Sequence, residues 1–131
     1  MKHWHVIAFL VFIYSCEKDN VSFKYNALDP EAGERVIFLD SINIIIVGSE
    51  NYVVGYYHID KKKIFFPEGI AAIGHYRNDT LIHKVPFPES SNVVFYDFMQ
   101  LPPGNYTYSM RFINPDNEAG MASNSITLAR P

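Results

Sequence analysis

From Tyr106 to Phe112 the side chains alternate, with Tyr106, Tyr108, Met110 and Phe112 on one side and Thr107, Ser109 and Arg111 on the other. A period of two is the mark of a half-buried antiparallel strand. Just before it, Leu101-Pro102-Pro103-Gly104-Asn105 forbids a helix. Two prolines fix φ and withhold two backbone donors, while Gly104 permits the reversal. The strand therefore begins at Tyr106, and its apolar flank needs a second layer to cover it.

The rest of the chain carries the same kind of pattern. Val21-Ser22-Phe23-Lys24-Tyr25 alternates and predicts a first strand; Asn26 to Glu34, with Asp29-Pro30 and Gly33, predicts a turn. Arg35 to Leu39 and Ser41 to Val47 are too continuously aliphatic for a one-sided strand, and predict a central strand bent at Asp40-Ser41. Gly48 to Asn51 closes a hairpin into Tyr52–Ile59, and Asp60 to Lys63 turns the chain toward Ile64-Phe65-Phe66 before Pro67 stops it. Ile70 to Arg77 and Thr80 to Val85 flank Asn78-Asp79, two residues that tolerate positive φ. That loop predicts a hairpin pairing Tyr76 with Leu81 and His75 with Ile82. Asn92 to Met99 is the strand before the corner, with Val94, Tyr96 and Phe98 on one face, and Ser123 to Leu128 is the last strand. No stretch holds a 3.6-residue period over three turns, so the expected fold is all-β, a sandwich or barrel of short strands.

Composition narrows this to one domain. The 131 residues are 48% hydrophobic, enough for a single core, and nine Tyr and ten Phe favour pleated surfaces. The net charge of −3 is unclustered; the one basic run, Lys61-Lys62-Lys63, reads as a solvated turn and not as a groove for nucleic acid.

The first residues change the picture. Lys2, His3 and His5 precede the apolar run Val6 to Tyr14, far short of the roughly twenty residues that span a membrane, and Ser15-Cys16 follows. This tract resembles the signal peptide and lipobox of bacterial lipoproteins, with Ile13 three before the cysteine and Ser15 just before it. The resemblance implies removal of residues 1–15, acylation of Cys16 by palmitate-type chains and a membrane partner held through that anchor. Glu17-Lys18-Asp19-Asn20 resembles the charged tag of Bacteroides-group surface lipoproteins, which implies the outer face of the outer membrane. The expected organisation is signal peptide 1–15, acylated Cys16 with a polar tether to residue 20, and a β-sandwich over 21–131. Loss of Lys2 leaves ten basic and fourteen acidic side chains, a net charge of −4. Cys16 is the only cysteine, so the fold stands without a disulfide.

The corner carries a second resemblance. Leu101, Pro103, Gly104 and Tyr106, the strand to Phe112, Asn114, Gly120 and Ser123 to Leu128 resemble the closing strands of fibronectin type III and related immunoglobulin-like sandwiches. The Leu-Pro-Pro-Gly-x-Tyr-Thr run is also similar to the sandwich module ending the sensor heads of bacterial hybrid two-component receptors, with Tyr108 in place of Phe. The implied fold is a single antiparallel immunoglobulin-like or fibronectin type III-like β-sandwich, with Tyr106 as a tyrosine corner. A sandwich is a shared scaffold and implies no activity.

Candidate chemistry is sparse. His58, His75 and His83 remain after the signal, and the predicted register puts His75 and His83 on opposite faces, where they cannot share a metal. No phosphate loop, nucleophile elbow or usefully spaced carboxylate pair is present, so no catalytic residue, metal or cofactor is expected. What has functional room is the aromatic surplus: Tyr52, Tyr56, Tyr57, Phe65, Phe66 and Tyr76 could stack on sugars or on a protein partner, or pack on both faces of a dense sheet. Adjacent Tyr56 and Tyr57 must point opposite ways. The expected function is a non-catalytic, lipid-anchored surface binding module, with a glycan-binding accessory protein as the alternative.

Overall fold

A computed structural model describes residues 27–31, 33–98 and 100–131. The signal peptide, Cys16, the tether and the Val21–Tyr25 strand lie outside the described residues.

The described chain is all-β, built as two antiparallel sheets. β1 (Ile37–Val47) and β2 (Glu50–Ile59) form a hairpin, closed by Gly48 at φ 66°, and β5 (Asn92–Asp97) lies on the far side of β2. The second sheet places β3 (Ala72–Arg77) between its hairpin partner β4 (Thr80–Pro86) and β6 (Gly104–Ile113). The other edge of β6 takes β7 (Ala119–Ala122) and then β8 (Ile126–Arg130). The chain thus changes sheet between β2 and β3, between β4 and β5, and again between β5 and β6, an arrangement consistent with a β-sandwich.

The apolar flank expected of β6 is covered by the first sheet. Tyr108, Met110 and Phe112 are completely buried and meet Ile37, Leu39, Val53, Tyr57, Ile59 and Phe95 of the first sheet in one core cluster. At about 25 cal/mol per Å² of apolar surface, each such fully buried ring or chain contributes roughly 1.5–3 kcal/mol relative to exposure. Gly55 faces Phe95 directly across the β2–β5 ladder, and the Phe95 ring fills the space over it.

The bend expected at Asp40-Ser41 is a β-bulge between Leu39 and Ser41. Among the described residues β1 is an edge strand and not a central one, with β2 in the middle of the sheet. Its inward row runs Ile42, Ile44, Ile46, and burial fades along it, so that Ile46 is largely exposed. At the bulge Asn124 takes the place of a neighbouring strand: its side-chain oxygen accepts from the Leu39 amide and its NH2 donates to the Leu39 carbonyl, each at 2.8 Å.

One other expectation, on the second hairpin, is corrected in part. Asn78 and Asp79 adopt φ 49° and 61° and close the hairpin as predicted, with Tyr76 opposite Leu81. His75, however, pairs with His83, because a bulge between His75 and Tyr76 leaves Ile82 as the extra residue. Ile64-Phe65-Phe66 lies between 3-10 turns at Lys61–Lys63 and Pro67–Gly69.

A candidate binding face and the polar pocket beside it

The strand parities of the first sheet decide which rings reach solvent. On β2, Val53, Tyr57 and Ile59 face the core, so Tyr52, Tyr56 and His58 face outward. On β5, Val93, Phe95 and Asp97 face inward, so Val94 and Tyr96 face outward, and Phe98 continues their row. Tyr56 opposes Val94, Val54 opposes Tyr96, and the Tyr52 and Phe98 rings meet edge-on at 5.4 Å. Tyr96 and Phe98 lie nearly parallel, 16° apart with centroids at 5.6 Å. The result is an apolar, aromatic outer face in which Tyr56 is 47% and Phe98 63% exposed. At its end the Tyr52 hydroxyl donates to the Glu50 carboxylate, a bond that, together with burial and the Glu50 charge, raises the phenol above its ordinary range.

The six candidate rings therefore divide. Tyr52 and Tyr56 share this face. Tyr57 is not available to a ligand: it is 1% exposed, in the core, as the opposite direction of its neighbour requires. Phe65 and Phe66 are exposed on the connection between β2 and β3, 67% and 69% open. Tyr76 lies on the outer face of the second sheet, beneath the Arg111 guanidinium at 5.8 Å, and so cannot act with Tyr52 and Tyr56. Sequence reasoning missed Val94, Tyr96 and Phe98 as ligand-facing groups, although it grouped them on one face. Both faces of β5 are apolar, so alternation alone did not say which was inside.

Beside this face the core contains polar groups. The Tyr57 hydroxyl and His75 Nε2 are 3.2 Å apart, linking the two sheets, and Phe95 and Tyr57 flank the imidazole at 5.0 and 5.6 Å. Burial, and secondarily the charge of His83, pull His75 from 6.5 down to about 4. Burial raises the Tyr57 hydroxyl above its usual range. Asp97, 3% exposed, accepts from Arg77 Nη1 and, at 2.9 Å, from the Tyr108 hydroxyl. Burial pulls the Arg77 guanidinium down, but the bond and charge of Asp97 outweigh it and hold it above its ordinary value. Tyr108 is raised, first by burial and then by Asp97.

This network opens at the sandwich edge between β4 and β5, into a depression of about 370 Å³ lined by Arg77, Ile82, His83, Asp97 and Phe98. The β4 bulge brings His75 and His83 onto one face with ring centroids 6.5 Å apart, correcting the opposite-face expectation. Among the described residues no group of three His, Cys, Asp or Glu side chains is placed to hold a metal ion.

The remaining candidates are structural. Leu101 is buried, and after Pro103 and Gly104 the Tyr106 hydroxyl donates to the Pro102 carbonyl. Lys61 donates to the Pro88 carbonyl at 2.7 Å, and Lys63 sits near Glu34 and Asp60, so the basic run braces a turn. The described chain is an all-β, two-sheet domain with an exposed aromatic face. No protein-family model matches the sequence, and comparison with curated proteins returns no match.

Proposed function

We propose that the protein is a non-catalytic binding module, tethered by acyl chains on Cys16 at the outer face of the outer membrane, which engages its partner through the outer face of β1, β2 and β5. The observation that carries this reading is the cluster of Tyr52, Tyr56, Val94, Tyr96 and Phe98 on one solvent-facing sheet surface. A solvated antiparallel sheet face is ordinarily polar, and contiguous exposed rings mark interaction sites.

The finer fold reading is fibronectin type III-like. It is supported by the strand order β1-β2-β5 against β4-β3-β6-β7/β8 and by the Tyr106 bond to a backbone carbonyl four residues upstream. A second reading, a glycan-binding accessory protein, is favoured by the exposed Tyr96 and Phe98 rings, since exposed aromatic rings can stack on sugars.

Photo-cross-linking in cells tests the face itself. A benzophenone amino acid replacing Tyr56 or Tyr96 is expected to give adducts, and the same group at Tyr76, on the opposite outer face, is not. Equal yields at all three positions, or none at Tyr56 and Tyr96, would overturn the reading. Fatty-acid labelling that is lost in Cys16→Ala tests the tether, and its persistence in that variant would remove it.

A further inference from the structure

We propose that the depression between β4 and β5 is a subsite for one pyranose unit of a neutral polysaccharide, with the sugar's C–H face on Phe98 and its hydroxyls directed to His83 and the Arg77–Asp97 pair. This rests on the binding-face reading above and names the ligand class for that site.

Three observations carry it. Phe98 belongs to both surfaces: it stacks on Tyr96 and meets Tyr52 on the open face, and it forms a wall of the depression. A chain lying along the rings is therefore led into the pocket. The lining is mostly carbon, with Ile82 and Phe98 beside the polar side chains of Arg77, His83 and Asp97. A pyranose divides in the same way, with an apolar face and hydroxyls around its edge. Finally, the one cation and the one carboxylate among the lining residues are paired with each other. An already paired cation and carboxylate suit an uncharged, hydroxyl-rich ligand better than a charged one. The volume of about 370 Å³ falls in the range of small-ligand clefts.

The test uses the full chain, purified in detergent, on an array of neutral cello-, xylo-, manno- and malto-oligosaccharides with sialylated and sulfated glycans as charged comparators. Retention on at least one neutral series is expected. Phe98→Ala should weaken it about tenfold, the scale of a lost aromatic stacking contact. His83→Ala should weaken it several-fold, and Phe65→Ala, on another surface, should leave it unchanged. Phe98→Trp keeps a ring on the wall and should retain binding, which separates loss of stacking from loss of fold. Absence of neutral-glycan retention, retention of charged glycans alone, or indifference to Phe98→Ala would each overturn the proposal. Cross-links at Tyr56 and Tyr96 to a protein, without oligosaccharide retention, would reject the sugar while leaving the binding face standing. Loss of those cross-links would reject the face itself.

Discussion

Arg77 of β3 donates to Asp97 of β5 across the gap between the two sheets, so an ion pair and not only hydrocarbon joins the layers. Tyr108 of β6 donates to the same carboxylate oxygen from its own sheet, and Tyr57 meets His75 in a second polar crossing. Buried polar groups are costly unless bonded, and these groups are bonded to one another from opposite sides.

Removing one partner leaves the others without their bond. Asp97→Ala should destabilise the domain by about 3–5 kcal/mol, because a guanidinium and a phenol lose their acceptor in a low-dielectric site. Urea unfolding of the two proteins checks this. The double variant Arg77→Met with Asp97→Leu should lose less than Asp97→Ala alone; a larger loss would mean that the charge itself is required.

His75 makes stability depend on pH. Above its unfolded value near 6.5 neither state is protonated and its contribution is complete. As the pH falls from 6.5 toward 4, the unfolded chain takes up a proton that the native imidazole refuses, and stability declines. The decline from this residue is on the order of 3 kcal/mol. His75→Phe should flatten the fall in urea midpoint between those two pH values, and an unaltered slope would show that the carboxylates dominate it.

Much of this fold was legible because β6 carries its large apolar side chains on one flank and mostly polar ones on the other, so its period of two survives translation into structure even though Ser109 is also buried. The Asn78-Asp79 loop was legible because few residue types accept positive φ. Its register beyond Tyr76 was not: a bulge adds one residue without any Gly or Pro to mark it, and His83 moved into the row of His75. Asp97 was invisible for another reason. A carboxylate reads as a surface group until its cation is found, and Arg77 lies 20 residues away on the other sheet. The aromatic face was half legible. Tyr52 and Tyr56 follow from composition and parity, whereas Tyr96 and Phe98 needed Phe95 to be seen filling the space over Gly55.

Gly55 is held to glycine by that ring. A Cβ built there would stand 1.8 Å from a Phe95 ring carbon, so either the ring or the β2–β5 ladder must shift. Gly55→Ala should cost on the order of 1–3 kcal/mol. Thermal melts of Gly55→Ala alone and with Phe95→Leu test the cause. Partial rescue in the double variant is expected, and two simply additive losses would argue against the clash.

The corner before β6 gives a smaller effect. Tyr106→Phe removes the donor to the Pro102 carbonyl and keeps the ring, so a loss of about 1 kcal/mol is expected. A melting curve superimposable on that of the parent chain would show that water replaces the hydroxyl without cost.

Asn124 belongs to neither ladder, yet its amide does for Leu39 what an adjoining strand would do. At Leu39 that rim of the sandwich is therefore latched by the Asn124 side chain. A ladder opens by unzipping successive pairs, whereas a latch releases in one step when a single rotamer turns. Deuterium uptake at the Leu39 amide should then report a swing of Asn124, and in Asn124→Ala it should quicken while the amides of β2 keep their protection.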